Sequence, residues 1–161
     1  MILTENFAVI GMIEPADHQA GSVDSESINM ALLDRVHLIY QAGAITGDDS
    51  VIKFYAGATT GTKTTEVPFH YRLSGADYKA TGNDQFGDRT AVAIGGTGLT
   101  MSAAAYGNRV VAIDVDSADM PDGLNWLTVE FDDGSASVLL ASMIAIGEPR
   151  YAANDIPTVV A

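Results

Sequence analysis

A few clusters of residues have types that could do chemistry, and spacing decides each one. The octet Gly57-Ala58-Thr59-Thr60-Gly61-Thr62-Lys63-Thr64 has the glycines, threonines and lysine of a phosphate-binding loop. Such a loop needs glycine directly before the lysine, so that backbone N–H groups can curl round a phosphate at the start of a helix. Here Thr62 precedes Lys63 and an alternating run follows, so the octet reads as a turn between strands. Asp114, Asp116, Asp119 and Asp122 resemble the oxygen donors of a calcium loop. Ala118 occupies a position that must supply an oxygen, Asp119 stands where the loop turns on glycine, and Glu130 lies too far along to close it. A solvated acidic loop is the better reading. His18, His37 and His70 have no short metal-binding spacing between them.

Nucleophilic and acid–base chemistry find no better footing. There is no Gly-x-Ser-x-Gly elbow, and no serine is marked out by a neighbouring base. With 21 acidic residues, two carboxylates will fall near each other by chance, so a glycosidase reading needs a cleft lined by aromatic platforms. The single tryptophan, Trp126, begins an expected strand and reads as core. Tyr40, Tyr55, Tyr71, Tyr78, Tyr106 and Tyr151 are scattered in a way that suits core edges or interfaces. No catalytic, cofactor-binding or metal-binding residue is assigned, and the chain reads as a non-enzyme.

The elements that must position these residues are strands. In residues 51–73, Ile52 and Phe54 share one face and Val51, Lys53 and Tyr55 the other; beyond the Gly and Thr turn, Val67, Phe69, Tyr71 and Leu73 line up again. A period of two in β-branched and aromatic residues marks half-buried strands, and the pair reads as a β-hairpin with Pro68 forcing an edge or a bulge. Residues 35–42 and 109–116 alternate likewise, with Val36, Leu38 and Tyr40 opposite His37 and Ile39, and Val111, Ile113 and Val115 opposite Asp114 and Asp116. Residues 91–94 and 99–105 read as small-residue strands around a glycine turn, and 126–131 as a further strand. Residues 117–122 are expected to make one helical turn, with Ser117 as its N-cap and Gly123 ending it. Residues 137–146 are apolar at nearly every position, which predicts a strand buried on both faces. Residues 7–13 form a strand or a clasp stopped by Pro15; residues 16–27 read as a loop with at most one helical turn, and residues 74–89 as a long polar loop.

These readings give an all-β chain, a β-sandwich or jelly roll of about eight or nine strands with at most short helical turns. Residues 1–161 are read as one domain, with residues 1–15 and 151–161 either arms that lie on a neighbour or parts of the sandwich. Its expected core is Phe54, Phe69, Tyr71, Leu73, Val111, Ile113, Trp126, Leu140 and Ile144. The absence of cysteine excludes a disulfide framework, leaving burial or partners to stabilise the chain. Its 8 basic and 21 acidic residues give a formal charge of −13, which repels nucleic acid. The first residues lack a basic segment ahead of their apolar run, and the apolar stretch near the end is too short to span a bilayer, so a soluble chain with no membrane partner is expected.

Several short stretches together carry a resemblance: Val23-Asp24-Ser25-Glu26-Ser27-Ile28-Asn29-Met30, Gly43-Ala44-Ile45-Thr46-Gly47, Tyr55-Ala56-Gly57-Ala58, Tyr71-Arg72-Leu73-Ser74, Asp122-Gly123 with Trp126-Leu127, and Glu148-Pro149-Arg150-Tyr151. In this order, over most of its length, the chain is similar to small structural proteins of tailed bacteriophages. The resemblance implies a virion component, assembled in the host cytoplasm, that sits on the outer capsid surface as a head decoration (cement) protein. It implies the major capsid protein as partner and a homo-oligomer, a trimer above all. A tail or baseplate module that binds a receptor or carbohydrate is the alternative. The resemblance supplies no active-site residues.

Overall fold

The computed structural model describes residues 3–18, 21–132, 138–151 and 158–160. In chain order its elements are α1 (Leu3–Asn6), β1 (Ala8–Asp17), β2 (Ser22–Asp24), β3 (Ile28–Asn29), β4 (Leu33–Ile45), β5 (Ser50–Gly57), β6 (Thr65–Glu66), β7 (Phe69–Leu73), β8 (Thr90–Val92), β9 (Leu99–Met101), α2 (Ala103–Tyr106), β10 (Val110–Asp116), β11 (Trp126–Asp132) and β12 (Leu139–Pro149). Two antiparallel sheets make a β-sandwich. The first runs β1-β12-β4-β10-β7-β8; the second runs β2-β11-β5-β6, with β3 also paired to β11 and β9 to β5. Among the described residues seven strands have five residues or more, and the other five are pieces of two or three, of which β8 and β9 fall within the strands expected over 91–94 and 99–105.

Alternation builds the core. Val36, Leu38 and Tyr40 of β4, Val111, Ile113 and Val115 of β10, Ile52 and Phe54 of β5, and Leu127, Val129 and Phe131 of β11 all point inward and are buried. Aromatic rings join the sheets: Phe54 lies 4.6 Å from Phe69 between ring centroids, and Tyr40 lies 5.7 Å from Phe131.

The expected hairpin is only two residue pairs long, Tyr55 with Glu66 and Ala56 with Thr65. After the Val67 N–H donates to the Phe54 carbonyl oxygen at 2.9 Å, the chain passes Pro68 and crosses to the first sheet, where β7 pairs with β10. Pro68 has no N–H to extend the ladder, and crossing over sets the Phe69 ring against Phe54 from the opposite layer. The two runs therefore face each other across the core instead of lying side by side. The stretches before and after Gly95 and Gly98 part in the same way: β8 joins β7, and β9 joins β5. Gly98 has φ +79°, and a Cβ there would stand 2.6 Å from the Ile52 carbonyl oxygen, so this passage requires glycine.

Other expectations shift as well. Pro15 does not end its strand, because β1 is an edge strand whose register slips between Gly11 and Ile13 and again between Ile13 and Ala16, so Pro15 falls where pairing is already broken. Part of 16–27 is strand, since β2 pairs with Glu130, Phe131 and Asp132. The strand expected over 99–105 stops at Met101, and the alanine-rich remainder turns into α2. The turn after β10 is a 3₁₀ turn over Ser117–Asp119, and Asp116 caps it through the Ala118 N–H, in place of Ser117.

The largest correction concerns β12. Of its expected range, Ser137 lies outside the described residues. Leu139, Ala141, Met143 and Ala145 are buried, whereas Leu140 is 43% and Ile144 45% exposed. Leu140 and Ile144 therefore leave the predicted core, and one face of this apolar strand meets solvent within the single chain. Trp126 is half-buried, and Tyr71 and Leu73 pack on the core from its margin. Of the terminal stretches, β1 pairs with β12 and buries Ile10, Met12 and Ile13. Near the other end, the Asn29 N–H donates to the Val159 carbonyl oxygen at 2.7 Å and Val159 is buried.

Candidate interaction surface

The outward residues of the first sheet form rows across its strands. In one row Gly11 of β1, Ile144 of β12, Ile39 of β4, Ala112 of β10 and Arg72 of β7 are register partners; in the next stand Val9, Ile146, His37, Asp114 and His70. Val9, Ile144, Ile146, Ile39 and Ala112 thus make an aliphatic patch on the outside of the sheet, with Val9 48% exposed. Leu140 continues it towards Gly43, where an added Cβ would come within 2.8 Å of the Leu140 Cβ.

One end of the patch is closed by charge. His37 places Nδ1 2.6 Å from Asp114 Oδ1 and Nε2 3.0 Å from Glu148 Oε1. Neutral imidazole has one donor nitrogen, so only the imidazolium donates to both carboxylates. Burial pushes the His37 pKa down, but the hydrogen bonds to Glu148 and Asp114 outweigh it and hold the ring above its ordinary value. Beside it Arg35 donates to Asp116 at 2.8 Å. The Ala118 N–H, and then Arg35, keep the Asp116 carboxyl below its ordinary value. These side chains tie β12, β4 and β10 together across the sheet.

Two open clefts flank β12. The larger, about 770 Å³, lies where the β1 irregularities open beside Met143 and Ile144, with Glu14, Asp24 and Glu26 among its lining residues. The smaller, about 300 Å³, holds Leu140, Ala42 and Tyr78. His18, the base that a hydrolase would need in the larger cleft, donates from Nε2 to the Glu14 carbonyl oxygen at 3.0 Å. Burial raises the Tyr78 hydroxyl above its ordinary pKa, against a smaller opposing hydrogen bond with Gln41.

The remaining candidates are occupied by structural duties. In the phosphate-like octet, the Gly61 N–H donates to Ser27 Oγ at 2.8 Å, Thr62 Oγ1 donates to the Thr59 carbonyl oxygen, and Lys63 bonds Asp24 and Glu130. Asp114 and Asp116 serve His37 and Arg35, while Asp119 and Asp122 are exposed. Among the described residues, no group of three or more His, Asp or Glu is arranged to hold a metal ion. His18 packs edge-on to Phe131 at 6.2 Å, far from the shared row of His37 and His70. Alternation alone turned His37 and Asp114 outward; their meeting with Glu148 follows from strand pairing, which spacing does not encode.

The outer face of the second sheet is built differently. Lys53 pairs with Glu66 at 3.4 Å, and Lys63 reaches Asp24 at 2.8 Å while its ammonium lies 5.8 Å from the Tyr55 ring centroid. Glu66 also accepts from the Gly95 N–H, which, ahead of Lys53, lowers its pKa. Set against known proteins, the chain matches no family model, no curated protein and no solved structure.

Proposed function

We propose that this protein is a structural component of a tailed-bacteriophage virion that binds the assembled head from outside, stabilises it and performs no catalysis. The observation that carries the reading is the exposed aliphatic face of the first sheet on a chain of formal charge −13. An apolar sheet face left in water is a contact surface through which copies can assemble into a multivalent unit, and an acidic body belongs away from packaged nucleic acid. The resemblance to small phage structural proteins supplies the partner, the major capsid protein. A ligand that binds only the assembled shell stabilises it by mass action, and an oligomer meeting several shell subunits at once adds avidity.

The test removes this chain from particles, by stripping or by gene deletion, and measures the temperature at which heads release DNA. The proposal expects a lower release temperature and label distributed over the head. An unchanged temperature, or label confined to the tail, would transfer the chain to the tail or baseplate reading.

A further inference from the structure

We infer that the outer face of the first sheet is where a second copy of this chain docks, each copy presenting the same face. The inference rests on the oligomer in the reading above and names its contact surface. The centre of the face is aliphatic: Val9, Ile39, Ile144 and Ile146 are neighbours by register, and half of the Val9 and Ile144 surface is open to water.

Charge selects the occupant. Along β12, β4, β10 and β7 the outward ionised groups are Arg35, Arg72 and the His37 imidazolium against Asp114, Asp116 and Glu148, three of each sign. The Asp34–Arg150 pair at the end of the face adds one of each. Glu14 and Asp17 of β1 are exposed as well and leave the face two acidic charges in excess, against 13 for the chain, so most of the acidic excess lies elsewhere and like-charged copies repel least across this face. Because the face carries both signs, each charge has an opposite available on the copy. A basic partner, by contrast, would be drawn to the acidic remainder of the surface. Strand addition at the β1 edge is disfavoured, since Pro15 lacks an N–H and two irregularities in the ladder to β12 break the regular extended course of the strand. Face-to-face docking of identical surfaces is isologous and closes as a two-fold dimer, in place of the trimer that the resemblance implies.

Light scattering at micromolar concentration tests this on the full chain. The wild type should weigh about twice 16.8 kDa, and added salt should not dissociate it, because screening also weakens the repulsion between the acidic bodies. Ile144→Glu should be monomeric and Ile144→Ser should dimerise at least tenfold more weakly, each keeping the wild-type circular dichroism. Ile94→Glu, at a residue 59% exposed beyond β8, should remain dimeric. A monomeric or trimeric wild type, or a dimer unaffected in both Ile144 variants, would overturn the inference. A monomer that still raised the DNA-release temperature would leave the shell-binding reading intact, whereas a dimer that left it unchanged would overturn that reading alone.

Discussion

The two outer faces of the sandwich belong to antiparallel sheets that share one core, yet they treat water in opposite ways. On the second sheet, lysines bridge between strands: Lys63 joins Asp24 of β2 to Glu130 of β11, and Lys53 of β5 meets Glu66 of β6. Thr128, whose parity points it outward, is nonetheless buried, with its hydroxyl 2.8 Å from Ser27 Oγ under the connection between β2 and β3. On the first sheet the corresponding central positions are Ile39, Ile144 and Ile146, with Ile144 45% exposed. Among the described residues, the ion pairs that join its strands gather at one end, around Arg35 and His37. A sandwich needs one apolar face per sheet; a second on the same sheet does nothing for the core and reads as a surface kept for contact.

The largest effect separates both faces from the core that they share. Phe69→Ala should destabilise the fold by about 3–5 kcal/mol in urea melts, because the ring is 3% exposed and stacked on Phe54 between the layers. A loss under about 1 kcal/mol would place Phe69 at a surface. Next comes the sealed position of the second sheet: Thr128→Val should cost about 1–3 kcal/mol by depriving the buried Ser27 hydroxyl of a partner, and a neutral result would mean that this face is not sealed.

A smaller effect distinguishes the first sheet by pH. The His37 pKa is raised in the fold, so its contribution is fully present below the unfolded value of about 6.5 and fades as pH rises through the folded value. Denaturant midpoints should therefore decline over that window in the wild type and less so in His37→Gln. A midpoint that rises across the window would reverse the sign and contradict the paired imidazolium. Smallest of all, Arg35→Ala and Lys63→Ala should each change stability by about 0–1 kcal/mol, since Arg35 is 45% and Asp116 37% exposed at the side chain and Lys63 also meets its partners near solvent. A larger loss at Lys63 than at Arg35 would sharpen the contrast, marking the second face as the one that ion pairs hold.

Much of the fold was legible because its strands alternate. Val36, Leu38 and Tyr40 inward against His37 outward, and Val111 and Ile113 inward against Asp114 outward, stand as the spacing predicts. The all-β sandwich follows from such runs. β12 was misread for a physical reason: a segment apolar at almost every position has no period of two to read, and a one-residue slip moves every side chain to the opposite face. Leu140 and Ile144 went to the core on paper, when Leu139 and Met143 occupy it. The hairpin is shorter than expected because alternation reports which face a residue takes and not which sheet its strand joins; Pro68 signals a break without saying where the chain goes next. The contact surface was less legible still. His37, Asp114 and Glu148 are separated by 77 and 111 positions, and only the order β12-β4-β10 brings them together.

Since the chain has no cysteine, a single introduced thiol reports directly on the face assigned to copy-to-copy contact. Ile144→Cys and, separately, Ile94→Cys can be oxidised under mild conditions and their masses read on a non-reducing gel. A two-fold axis through the aliphatic centre of the first sheet sets the two Ile144 positions against each other, so the account predicts a rapid cross-linked dimer for Ile144→Cys and little for Ile94→Cys. Equal cross-linking of the two variants, or none at position 144 while the wild type is dimeric, would contradict it.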